Sequence, residues 1–229
     1  ALKLFKTGAY LKAVETLQGA DKQAADAEEI LYLSALAYTR LEKYDRAIAA
    51  FTKLLKETKN SFYTFQSHML LGLIHARREK FDEAETELHR LLQKNVENPQ
   101  VYAILGYLYY RRKDYAQAEY YYQKSLSLDP SNATSNNGLG YTYLEWGSKL
   151  EEAFPYLQKA MRKSPDSHAI LDSLGWYYFL KKSFSQALHY LGKALRFKAD
   201  PVVKEHIEVV KKNQAVNEPS DKPLAFRRA

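Results

Sequence analysis

Six histidines are the side chains best equipped for chemistry in this chain: His68, His75, His89, His168, His189 and His206. His68 and His75 stand seven apart, which places both on one face of a helix. A zinc site there would need a third ligand and a hydrogen-bonded outer shell. The 229 residues include no cysteine, so disulfides and thiolate metal sites are excluded. No His-Glu-x-x-His run, no phosphate-cradling glycine loop and no Ser, His and Asp in triad order occur. The paired carboxylates Glu28-Glu29 and Glu151-Glu152 fall where helices begin, and there the macrodipole favours negative charge. These residues read as packing and capping groups, with no catalytic residue, metal or cofactor expected.

The elements that must hold them are short amphipathic helices. Residues 101–130 carry two, joined by a tight turn at Lys113-Asp114, and the pattern recurs on both sides at close to 34 residues. With Pro99 as position 1, Tyr102 takes position 4, Leu105-Gly106 take 7 and 8, and Tyr109 takes 11. Tyr115 falls at 17, Ala118 at 20, Tyr122 at 24, Ser125 at 27 and Pro130 at 32. Small residues at 8 and 20 let a first helix A and a second helix B approach closely, and large residues at 4, 7, 11 and 24 fill the space around that contact. The Asp-Pro pair stops helix B, because the residue before proline avoids the α region. This spacing resembles the tetratricopeptide repeat. The resemblance implies an all-α fold, an α-solenoid of tandem helix-turn-helix units wound as a right-handed superhelix.

Residues 1–20 match the second half of such a unit, so more repeat upstream is expected. Residues 1–27 are thus a partial unit and a polar connector. Five units follow, at 28–64, 65–98, 99–132, 133–167 and 168–201. The first of them exceeds the period by about three residues, and the fourth carries one extra residue in the turn Trp146 to Leu150. Residues 202–216 have one apolar stripe and a polar back, as a capping helix should. Residues 217–229 read as a flexible tail, with Phe226-Arg227-Arg228 at its end.

Composition agrees with this organisation. Hydrophobic residues make up 46% and charged ones 27%, and glycine (9) and proline (7) are scarce beside 19 tyrosines. No run of 18 apolar residues is present. Net charge is +7, and the excess sits in residues 99–229. Basic residues come in pairs near turns, not clustered on one face as nucleic-acid binding requires.

In stacked units of this family helix A lines a concave groove with positions 2, 5, 9, 12 and 13. The groove residues expected here are Tyr32, Met69, Asn137 and Asp172 at position 5 and Leu36, Leu73, Tyr107, Tyr141 and Trp176 at position 9. Tyr110 and Phe179 join them from position 12, beside Thr39, Ala76 and Leu144, and Arg40, Arg77 and Arg111 at position 13 suggest a basic rim. The Lys and Asn pairings with which chaperone-binding members grip a terminal carboxylate are missing. Instead, position 9 builds an aromatic ladder, Tyr107-Tyr141-Trp176. Such rings suit an apolar peptide or helix. Asn137 is placed to bond an extended backbone, and Asp172 to take a basic side chain. Tyr120 and Tyr121 are a second candidate contact, on the opposite side.

The last third is similar to a bacterial group of these proteins. Asn137 and Gly140-Tyr141, then Asp172-Ser173-Leu174-Gly175-Trp176, then Asp200-Pro201 and His206 match its motifs, while Ile207-Glu208 replaces a Leu-Gly. The group includes envelope lipoproteins that act as adaptors, one of them an activator of a processing protease. Together these readings imply a non-catalytic adaptor that binds a protein segment, in the bacterial envelope or periplasm, with the cytoplasm as the alternative. A structural subunit of an envelope complex (secretion, pilus or protease-adaptor) is the second expectation, and an RNA-binding repeat the third.

Overall fold

The computed structural model describes residues 2–19, 27–93 and 97–217. Most of the connector at 21–27 and all but the first residue of the tail at 217–229 lie outside the described residues. Among those described, every regular element is a helix. The first compact unit, within residues 1–128, holds α1 (Leu2–Lys6), α2 (Tyr10–Gln18), α3 (Ala27–Arg40), α4 (Tyr44–Glu57), α5 (Ser61–Arg77), α6 (Phe81–Leu92), α7 (Pro99–Arg111) and α8 (Tyr115–Leu128). The second, within 129–229, holds α9 (Ala133–Trp146), α10 (Leu150–Lys163), α11 (His168–Leu180), α12 (Phe184–Phe197) and α13 (Pro201–Asn217). In both units consecutive helices pair as A and B, and each B also packs on the A helix that follows it within the unit. Within each unit the A helices form a layer, α3, α5 and α7 in the first and α9, α11 and α13 in the second.

Local chemistry sets where the helices start and stop. Asn60, Asn98 and Asn132 accept hydrogen bonds from backbone N–H groups in the first turns of α5, α7 and α9, the ordinary N-cap arrangement. Pro99 follows at the first helical position of α7, where its missing N–H costs nothing. Every A-to-B turn reaches the left-handed region at position 15: Gly8, Glu42, Glu79, Lys113, Gly147 and Lys182, with φ between 57° and 73°. In most turns the next residue then donates back to the carbonyl at position 11, as Lys43 does to Tyr38 and Asp114 to Tyr109, each at 2.9 Å. This closes the helix end in a Schellman-type motif. After Gly147 the extra residue of the fourth full unit delays α10 until Leu150, and the closing bond is instead Gly147 N–H to Tyr143 at 3.2 Å. The added length near residue 60 has a different fate. Helix α5 begins at Ser61, not at Phe65, and runs 17 residues.

The small-against-large rule accounts for the pair contacts. A Cβ added to Gly72, Gly106, Gly140 or Gly175 would sit 2.5–2.7 Å from the side chain at position 24, namely Leu88, Tyr122, Leu157 or Leu191. Those partners and the position-20 alanines Ala84, Ala118, Ala153 and Ala187 are buried. At the end of the second unit α13 buries Val203 and Val210 against Leu171, Leu191 and Ala194 and leaves Lys204, Glu205, Glu208, Lys211 and Lys212 exposed. One stripe on the core and charge on the outside is the cap expected of these residues.

Candidate functional site

The A-helix face of the first unit carries Tyr32 and Leu36 on α3, Met69 and Leu73 on α5, and Tyr107 and Tyr110 on α7, all half-buried. Tyr32 does more packing than the sequence suggests. Its ring meets Phe51, Phe62 and Tyr63 at 5.3–6.4 Å, and burial, with Tyr63 beside it, raises its phenol above the usual 10.0. Leu36 and Met69 lie on the cores around Phe51 and Leu105. Tyr107 rests on the Ala76-Ala84-Leu108 cluster and accepts a 2.9 Å hydrogen bond from Arg111, which also pairs with Glu79 at 2.6 Å. The expected basic rim is therefore neutralised at Arg111. Position 12 also departs from expectation: Thr39, Ala76 and Leu144 are buried, because that position faces neighbouring packing, and only Tyr110 and Phe179 stay half-exposed.

In the second unit Asn137 and Tyr141 on α9 and Asp172, Trp176 and Phe179 on α11 share the A-helix layer. The Asn137 side-chain oxygen is buried and has no hydrogen-bond partner, a costly state for an amide. The expected role of Asp172 as an open anion needs correction. His206 of α13 bonds it through Nδ1 at 2.8 Å, with the two side chains only 12% and 13% exposed. The same imidazole stacks on Trp176 at 4.3 Å, and Phe179 packs beside that indole at 4.8 Å. The acid expected to take a partner's basic side chain thus takes the cap's histidine instead. Sequence reading identified His206 as a capping contact without finding its partner, because the partner sits one repeat away.

His68 and His75 belong to the packing between helices. His68 Nδ1 lies 2.6 Å from Glu87. Burial lowers the pKa of His75, against the pull of Glu83 and Glu87, and its Nδ1 has no partner. Among the described residues no three His, Asp or Glu side chains are grouped to hold a metal ion. On the opposite side Tyr121 stacks on Tyr109 at 5.2 Å and so belongs to packing, while Tyr120 is 48% exposed with Lys124 over its ring at 5.2 Å.

Comparison with known proteins supports the same architecture. The tetratricopeptide repeat family model matches residues 69–133, and a second model of that repeat matches 28–60. Residues 28–60 and 69–133 are tetratricopeptide repeats. No curated protein matches it. Among solved structures, a tetratricopeptide repeat protein of Parabacteroides merdae aligns with TM-score 0.77 at 19% identity, over 91% of this chain and 80% of that one. A thermophilic repeat protein of Thermus thermophilus aligns with TM-score 0.70 at 17% identity, over 81% and 99%. YrrB, described as a repeat protein with an unusual peptide-binding site, aligns with TM-score 0.50 at 19% identity, over 88% and 98%. At these identities the likeness speaks to the fold. Both matching family models describe an interaction repeat, and neither is an enzyme family.

Proposed function

We propose that this repeat protein is a non-catalytic adaptor that binds a segment of a partner protein on its A-helix face. What carries this is the surface around α9. The Asn137 oxygen is desolvated without a partner, and half-exposed Tyr141 stands one turn along the same helix. Rotation of the half-buried side chain would bring that oxygen to a backbone N–H of a bound segment and recover the cost of leaving it unpaired. The rings beside it would supply apolar area with little loss of side-chain freedom. Half-exposed Leu73, Tyr107 and Tyr110 offer comparable anchors in the first unit. The peptide-binding site named for YrrB, a protein of similar fold, supports this reading.

We place the adaptor in the bacterial envelope on the motif resemblance of residues 137–206. Its presence in the periplasmic fraction of the native source would support that setting, and recovery only from cytosol would remove it.

The deciding experiment is affinity capture from the native source with the wild type beside Tyr141→Ala and Asn137→Ala. Both variants should lose the captured protein, with affinity falling about tenfold or more, while their thermal melts stay within a few degrees of the wild type. Trp176→Ala is the weaker probe, since it also removes the seat of His206. Undiminished capture by Tyr141→Ala and Asn137→Ala together would sink the A-helix-face assignment.

A further inference from the structure

The second unit has another surface, on the B-helix layer, that neither the repeat pattern nor the adaptor role accounts for. Between α10 and α12, floored by α11, lies a cavity of about 230 Å³ lined chiefly by Phe154, Met161, Arg162, Leu174, Tyr178 and Tyr190. Small-molecule pockets run about 300–1,000 Å³, so this one suits a single side chain. Arg162 also lines a second, shallower depression of about 350 Å³, with Lys159, Lys163, Pro130 and Ser131 around it.

Charge around the two depressions has one sign. After Glu152, α10 holds no acid, and α12 holds none at all while carrying Lys193 and Arg196. None of Lys159, Arg162, Lys163, Lys193 and Arg196 takes part in an ion pair among the described residues, whereas the unit's other cations include the Lys181–Glu151 pair at 2.5 Å. Two acids lie near. Asp129 already accepts from the N–H and hydroxyl of Ser131 at 3.1 and 2.9 Å, and Asp166 is exposed in the turn beyond α10. Cations in the last turn of a helix are favoured by its dipole, which explains Arg162 and Lys163 as helix formers. It does not explain Lys159 a turn earlier, or an aromatic-walled cavity sharing the same guanidinium.

The ring geometry narrows the ligand. Tyr178 and Tyr190 stack on each other at 5.3 Å and 5°. Phe154 meets Tyr178 edge-on at 6.1 Å, and His189 meets Tyr190 edge-on at 5.4 Å. Tyr178 and Tyr190 each spend one face on the other, and Phe154 spends one on Tyr177 at 4.8 Å, which reduces the open ring face that a nucleobase would stack on. What remains is a pocket of ring edges and Met161 for an aliphatic or aromatic side chain, ringed by cations that no acid pairs with among the described residues; Lys159 lies over the Tyr156 ring at 5.5 Å.

We propose that the cleft between α10 and α12 docks an acidic protein segment, which inserts one apolar side chain beside Arg162 and sets flanking carboxylates on Lys159, Arg162 and Lys163. This surface is independent of the A-helix face, and the two assignments stand or fall separately.

The test is fluorescence anisotropy with the full chain and a labelled heptapeptide, Glu-Asp-Glu-Phe-Glu-Asp-Glu, at physiological salt. The wild type should bind saturably. Arg162→Glu should weaken binding about tenfold with an unchanged melt, since the side chain is exposed. Replacing the peptide's Phe by Ala should weaken it about fivefold, and so should Met161→Trp, which fills the cavity and keeps every cation. Asn137→Ala should change nothing. No saturable binding, equal affinity for the Phe and Ala peptides, or insensitivity to Arg162→Glu would each overturn the proposal. So would tighter, Arg162-dependent binding of oligouridylate or of phosphatidylglycerol vesicles.

Discussion

Single residues decide how closely the helices of a pair approach, and two glycines in different surroundings make the point. In α11 a Cβ on Gly175 would stand 2.5 Å from Leu191 Cγ and 3.2 Å from the Ala187 carbonyl oxygen, which belongs to backbone and cannot swing away. In α12 a Cβ on Gly192 would meet nothing within 4 Å. Gly175→Ala should therefore lower stability by about 1–3 kcal/mol through overpacking. Gly192→Ala should raise it by about 0.5–1 kcal/mol through helix propensity. Chemical denaturation of the two variants reads both signs, and a loss at Gly192 or a gain at Gly175 would contradict the packing described. This level was legible in the sequence, because positions 8 and 24 constrain each other within one unit. The bond between Asp172 and His206 was not. Its two groups are 34 residues apart, and no local rule distinguishes a paired aspartate from an open one.

Between elements, charged contacts repeat from pair to pair. Arg78 reaches Asp45, Arg111 reaches Glu79, and Arg112 reaches Asp82 and Glu85, at 2.6–2.8 Å. Most involve well-exposed acids and contribute little each. Glu85 is the better-covered case. Burial would raise its pKa, but hydrogen bonds from Tyr109 and Arg112 hold it below the ordinary 4.5. With the folded value lowered, the unfolded chain takes up protons first on acidification. The stability contributed by Glu85 is thus complete above about pH 4.5 and is lost as pH falls through the folded value. Glu85→Gln should give a shallower acid limb in stability against pH, measured by denaturant midpoints. An unchanged acid slope would show that the Tyr109 and Arg112 bonds do not hold the carboxylate. The sequence signalled an aromatic at position 11 here, but not that Tyr109 would bind a carboxylate from the preceding pair. It also put the start of a unit at Phe65, where α5 has already run a full turn from Ser61, since the Asn60 cap sits further upstream than the repeat period suggests.

At the scale of the molecule, the core clusters among the described residues join neighbouring helices. The cluster of Leu171, Ala187, Leu191, Ala194, Val203 and Val210 draws on α11, α12 and α13 alone. In such arrays stability is close to a sum of unit and nearest-neighbour terms. A fragment of residues 129–217 should therefore keep its helical circular dichroism and unfold cooperatively. A non-cooperative melt would show that this unit lacks sufficient core of its own. The overall class was readable from the period. The cleft between α10 and α12 was not, because it is a gap between two B helices, and a repeat signature specifies what fills contacts, not where they leave space.

The stacking of His206 on Trp176 has an optical consequence. Indole emission responds to water and to neighbouring rings, and the chain contains one other tryptophan, Trp146, which has Lys149 over its ring at 4.8 Å. The last helix therefore carries its own spectroscopic gauge: undocking α13 would uncover Trp176 and redden its emission, so the state of the cap can be followed in the unlabelled protein.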